Sequence, residues 1–168
     1  MSIAGIRLRQ SSWMIHVDIK AATLAGLLAG VVATLLQLML WSLHAFALPE
    51  TLFRDARLTA AIVLGHEVLP PPPTFDWRVM IVATCVHFAL SIVYAIVLAA
   101  AIGRLSMRAG LAAGTLFGLV LYVVNMYGFT ALFPWFEATR DGITAIAHVA
   151  FGVAASATYI TARKRTIA

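Results

Sequence analysis

Residues 79–103 read VMIVATCVHFALSIVYAIVLAAAIG. No Asp, Glu, Lys or Arg interrupts them, and a helix needs only about 20 apolar residues, at ~1.5 Å each, to cross a hydrocarbon core. Three further stretches share the property: 21–48, 109–135 and 142–162. Of the 168 residues 62% are hydrophobic and 11% charged, against roughly 45–50% and about 25% in soluble domains. The chain is therefore expected to be all-α: a polytopic membrane protein with a four-helix transmembrane bundle and an amphipathic outer (periplasmic) segment. One membrane domain, 21–162, carries the spans; a tail of residues 1–20 precedes it, residues 49–78 form its outer loop, and residues 163–168 form a basic tail.

The first span is followed by Ala45-Phe46-Ala47, but its apolar run far exceeds the ~7–15 residues of a secretory core, so it reads as an uncleaved anchor. Cys85 is the single cysteine, which excludes a disulfide within the chain and a cysteine zinc cluster. A net charge of +5 raises the possibility of nucleic acid, yet the basic residues sort by side of the membrane and form no patch. Arg7, Arg9, Lys20, Arg104, Arg108, Arg163, Lys164 and Arg165 share one side with Asp18, while Arg54, Arg57, Arg78 and Arg140 share the other with six acids. The positive-inside bias then places both termini in the cytoplasm. The basic tail is expected to touch anionic lipid, with no nucleic acid partner.

Ile3, Ile6, Trp13, Ile15 and Val17 among Arg7, Arg9 and Lys20 suit a short interfacial segment. In the outer loop, TLFRDARLTAAIVLGHEV (51–68) reads as an amphipathic helix with Thr51 as N-cap, lying in the interface or over the mouth of the bundle. Pro70 to Pro73 must end it and form a stiff polyproline II spacer. The other connections are short, so the second and third spans, and the third and fourth, are expected to be antiparallel neighbours. Trp41, Trp77, Trp135 and Tyr127 fall near the outer boundary as a headgroup belt.

Polar and small residues line one stripe of each span. Gly26, Gly30, Thr34 and Gln37 follow helical steps in the first, Thr84, His87, Ser91 and Tyr94 in the second. The third runs Gly110, Gly114, Gly118 to Asn125, and the fourth carries Thr144, His148 and Gly152. Small residues let helices approach in lipid, where no hydrophobic drive brings them together. Counting inward at ~1.5 Å per residue, His148 lies about 10 Å deep, His87 and Asn125 about 13 Å and Gln37 about 16 Å. The stripes predict a polar pocket open to the outer face and closed below.

An ionisable residue inside a span is costly and marks a candidate site. Gln37, His87, Ser91, Tyr94, Asn125 and His148 are the candidate cluster. Neutral imidazoles can also simply fasten helices, each such bond contributing about 0.6 kcal/mol. His87 and His148 on different helices suit the two axial positions of a b-type haem, or a metal site, in a membrane redox subunit. They suit equally a short proton or small-solute relay. The spans contain no Asp or Glu, Cys85 points away from His87, and no H-E-x-x-H or phosphate loop occurs. No enzyme is expected.

GLLAGVVATLL (26–36), VHFALSIVYAIVLA (86–99) and GLAAGTLFGLVLYVVNMYGFTALFPWFEATRDGITAIAHVAFG (110–152) together resemble the small YagU-like four-helix bacterial inner-membrane proteins. They also resemble a group of short proteins labelled sodium:proline symporters. His87 with Ser91, Ile92 and Tyr94, Gly110 with Gly114, Phe133-Pro134-Trp135, Glu137, and Ala147-His148 with Gly152 carry the likeness; the first outer loop departs from it. The resemblance implies a bacterial inner membrane and a link to acid tolerance, without a reaction. The symporter label does not fit, because four spans cannot supply ten or more helices and inverted repeats. The expected role is an accessory or stabilising subunit, packed against other membrane-protein subunits or itself.

Overall fold

A computed structural model describes residues 17–44 and 46–167, with side chains as far as Arg163. Residues 1–16 of the interfacial segment expected over 1–20, and the side chains of Lys164 and Arg165, lie outside that range. Within the described residues the fold has five α-helices: α1 (Ile19–Leu43), α2 (Glu50–Leu64), α3 (Trp77–Ile102), α4 (Met107–Val123) and α5 (Gly142–Ile167). Among the described residues there is no strand. Four segments are long and apolar enough to cross a membrane: α1, α3, α4 with its continuation to Ala131, and Gly142–Arg163 of α5. The protein is thus a multi-pass integral membrane protein built as an all-α four-helix bundle.

Each spanning helix starts where a short polar side chain satisfies the first free N–H groups. Asp18 accepts from Ala21, Asp76 from Arg78 and Val79, Ser106 from Ala109, and Asp141 from Thr144. The ends differ from the charge-free runs. α1 stops at Leu43, not Leu48, because the chain must turn ahead of Pro49 into α2. α4 loses regular geometry after Val123, passing through a π turn (Val124–Gly128) and a 3-10 turn (Phe129–Ala131), and Trp135 belongs to a separate 3-10 segment, Pro134–Thr139. Absence of charge measures affinity for lipid. It does not measure hydrogen bonding along a helix.

The outer-loop helix forms, but Pro49 occupies its cap and Thr51 lies inside its first turn, its hydroxyl donating to Ala47 O at 2.9 Å. α2 ends at Gly65, whose φ of 84° is open to glycine and strained for other residues. The proline run is no extended spacer: Pro70–Pro71 and Pro71–Pro72 are cis, and the chain bends there. Arg57 holds the returning strand of loop by donating to Val68 O and Thr74 O.

Packing contradicts one expected neighbour pair. α5 lies along both α1 and α4, α1 lies along α3, and α3 touches α4 only sparsely. The order across the bundle is α3, α1, α5, α4, although the loop between α3 and α4 is short. Small residues explain it. A Cβ on Gly26 would sit 2.7 Å from Ile92 Cα, and one on Gly114 or Gly118 would collide with the backbone of Gly152 or His148. Those glycines join α1 to α3 and α4 to α5. Among the described residues no comparable glycine contact joins α3 to α4.

The bundle is consequently closed at one end and open at the other. At the end carrying the chain termini, Ala22, Ala25, Ala99, Ile102 and Ile160 are fully buried in one cluster. Arg163, expected in a lipid-facing tail, instead donates to Ile102 O and Leu105 O and stacks on Tyr159, closing that end of α3. At the opposite, loop end, α2 packs on α3 through Ala56, Ala60, Val79 and Ala83. Trp135 Nε1 donates to Leu58 O at 2.9 Å, tying the 3-10 segment to α2. Trp77 remains exposed as a belt residue would, but Trp41 is buried.

Candidate functional site

A cavity of about 340 Å³ occupies the loop end, between α3 and α4 and beneath α2 and the Pro134–Thr139 segment. Gln37, His87, Ser91, Tyr94, Asn125 and His148 all line it. Four helices thus bring to one space the six side chains that the polar stripes single out. The stripes converge because α1 and α5 stand between α3 and α4 and face both.

Five of its polar side chains, Thr34, His87, Tyr94, Asn125 and His148, fall into two networks. On the α4–α5 side, Tyr94 O–H donates to Asn125 Oδ1 at 2.9 Å, Asn125 Nδ2 lies 3.1 Å from His148 Nε2, and His148 Nδ1 lies 2.8 Å from Thr144 O. A carbonyl only accepts, so His148 carries its proton on Nδ1 and accepts from the Asn125 amide at Nε2. Every direction in the chain from Tyr94 to Thr144 is then consistent, and His148 is neutral. The π turn is what makes this possible. It rotates Asn125 out of the regular α4 register while Arg140 donates to the carbonyl of Met126 at 2.6 Å and to Thr130 Oγ1 at 2.8 Å.

On the α1–α3 side, His87 Nε2 lies 3.4 Å from Gly30 O and 3.3 Å from Thr34 Oγ1. Gly30 gives the imidazole room, since a Cβ would stand 3.1 Å from His87 Nε2 and 3.0 Å from Ser91 Oγ, and those side chains would have to shift. Both imidazoles therefore turn Nε2 toward protein partners. In these rotamers they do not form the paired axial ligation weighed from sequence. Among the described residues no group of three or more His, Cys, Asp or Glu could hold a metal, and Cys85 is exposed on the outside of α3.

Apart from Thr34 and Thr59 the remaining lining is apolar, with four phenylalanines, Phe129, Phe133, Phe136 and Phe151, among aliphatic side chains such as Leu90 and Met126. Apart from the two histidines, no ionisable side chain but the Tyr94 phenol lines the space. The volume lies at the lower end of small-molecule sites, about 300–1,000 Å³, which are likewise mostly apolar with a few placed polar groups. The phenylalanines escape a reading by stripes because three of them sit where α4 has already broken; their steps of four and three, 129, 133 and 136, are the available signal.

A second cavity of about 320 Å³ lies between α1, α2 and α3, and shares Thr34, Gln37, Thr59 and His87 with the first. Trp41 and Asp55 line its far side. Burial pushes the Asp55 carboxyl above the ordinary carboxylate range, opposed by the Arg54 guanidinium 2.8 Å away. Comparison with known proteins gives no match to a family model, to a curated protein or to a solved structure, so the chemistry of the cavity itself carries the functional reading.

Proposed function

We propose that this is a non-enzymatic membrane protein that holds a small uncharged molecule within the bundle, as an accessory subunit to the larger membrane complex that handles that molecule. The observation that carries the reading is the cavity: an apolar, aromatic space at membrane depth into which four helices direct amide, hydroxyl and imidazole groups. Catalysis lacks support because the imidazoles are held by neighbours, His87 by Gly30 O and the Thr34 hydroxyl and His148 by Asn125 and Thr144 O, and among the described residues no carboxylate hydrogen-bonds to either. The excess of basic residues on the side of the termini supports an orientation with both termini in the cytoplasm, the cavity then lying in the outer leaflet. The likeness to YagU-type proteins supports a bacterial inner membrane.

Native mass spectrometry of the protein released from mild detergent tests the reading. A bound small-molecule adduct is expected, lost in Ala147→Leu, which pushes bulk into the cavity from a buried position on its wall. Co-migration with a larger assembly on a native gel is expected for the accessory role. A bare chain with no adduct overturns binding, and a lone monomer overturns the subunit role.

A further inference from the structure

Three polar side chains lining the cavity, Gln37, Thr59 and Ser91, have no hydrogen-bond partner among the described residues. Ser91 is the telling one, at 4% exposure. Three exposed hydroxyls of the spans bond back to their own helices: Thr84 to Met80 O, Thr115 to Leu111 O and Thr161 to Ala157 O. Ser91, inside, makes no such bond. The Ser91 hydroxyl opens onto the cavity with no protein partner among the described residues, so it is free to bond an acceptor or donor held there. These three groups lie on the α1–α2–α3 wall, and the opposite wall carries Phe129, Phe133, Phe136 and Phe151 beside Asn125 and His148.

The cavity also reaches the side of the bundle. Leu90 on α3 and Phe129 beyond α4 both line it, and both are exposed, at 39% and 40%. They flank the pair of helices that touch only sparsely. Leu90 lies thirteen residues from the start of α3, roughly 20 Å along it at ~1.5 Å per residue, so the gap lies against acyl chains rather than water. A molecule entering there comes from the lipid and can leave an apolar tail in it.

From this we infer that the ligand is a ring-headed neutral lipid of the quinone class. Its planar ring lies against Phe133, Phe136 and Phe151, its carbonyl or hydroxyl oxygens meet Ser91, Gln37 and Thr59, and its tail leaves between Leu90 and Phe129. The inference rests on the cavity being a binding site, as proposed above, and adds the ligand's class and its route. It involves binding alone, with no transfer of electrons.

The test uses the full chain in nanodiscs, with quenching of tryptophan emission read on titration with decylubiquinone, with the tail-less ring ubiquinone-0, and with monodecanoylglycerol as a ringless neutral lipid. Saturable binding of decylubiquinone is expected, at least about tenfold tighter than ubiquinone-0, a difference that burying two methylenes would already supply. Ser91→Ala should weaken it about three- to tenfold, the range of one neutral hydrogen bond, while Thr115→Ala leaves it unchanged. Leu90→Trp, at an exposed position that tolerates bulk, should weaken the decyl compound and spare ubiquinone-0. Equal binding of monodecanoylglycerol overturns the ring class. Equal binding of the two quinones overturns the lateral route. If neither quinone binds while another adduct persists in the mass spectrum, this inference fails alone; if no adduct exists, the binding reading fails with it.

Discussion

Asn125 joins three helices with one amide, its Oδ1 accepting a hydrogen bond from Tyr94 on α3 and its Nδ2 donating one to His148 on α5. Asn125→Leu leaves the phenol and the imidazole Nε2 facing an apolar side chain. Interhelical hydrogen bonds in membranes average about 0.6 kcal/mol each, so a loss on the order of 1–2 kcal/mol is expected in detergent unfolding, with Tyr94→Phe added to it costing little more. Ser156 is the opposite case. It is fully buried against Gly114 with its hydroxyl unpartnered, so Ser156→Ala should leave stability unchanged or raise it slightly. Asp55 gives the pH dependence. Its folded pKa is raised, chiefly by burial, so its contribution to stability is fully present below the unfolded value of about 3.9 and is lost as pH rises through the folded value. Against Asp55→Asn, the wild type should therefore lose melting temperature steadily across that window; a constant difference between the two would contradict the shift. At this scale the sequence was readable for the six polar residues, because helical spacing alone puts each on its stripe. Which partner each one takes was not, since Thr144 O and Gly30 O are main-chain groups that no side-chain pattern announces.

Among the elements, α4 is the one whose sequence misleads. Its run from 109 to 135 lacks charge, yet regular α geometry ends at Val123 and the chain finishes in π and 3-10 turns. Backbone groups freed in that way need other partners at membrane depth. Arg140 supplies them from outside the span, reaching Met126 O and Thr130 while paired with Glu137 at 3.2 Å and lying over the Tyr127 ring. Lys has no planar fork and cannot make both contacts from one position. Arg140→Lys should destabilise the loop end by about 1.5–3 kcal/mol, the range for a hydrogen bond to a charged group, and weaken ligand binding through Asn125, while Arg78→Lys, on an exposed N-terminal turn, should change neither. Spans were legible because hydrophobic length is a one-dimensional property. The pairing of α3 with α4 was misjudged because a short loop fixes connection and direction, whereas contact follows the small residues. Gly114 on α4 and Gly152 on α5 set the α4–α5 contact, each in collision with the other if given a Cβ. Gly152→Val should cost about 1–3 kcal/mol or more, as overpacking does, and separate α4 from α5.

Across the whole molecule the same chain builds a dense half and a hollow half, and the two should respond differently to one change. The dense half is held by alanine and glycine contacts near the termini and by Arg163 across the end of α3. The hollow half is roofed by two short segments that belong to different loops, α2 and Pro134–Thr139, and what joins them is one hydrogen bond, Trp135 to Leu58 O, with the His66 ring packed on the indole at 4.8 Å. Loop contacts of this kind open at far lower cost than a packed core. Trp135→Phe keeps an aromatic ring under the roof and removes the donor, at about 0.5–1.5 kcal/mol for one neutral bond. Because that bond spans two loops while touching neither glycine face, amide exchange should quicken in residues 50–69 and 129–139 and stay unchanged in residues 19–33 and 152–163. Ligand release should quicken with it if the roof is the barrier to leaving; if release is unaltered while the roof exchanges faster, the gap between Leu90 and Phe129 is the route in both directions, and the two short segments serve only to keep water from the cavity.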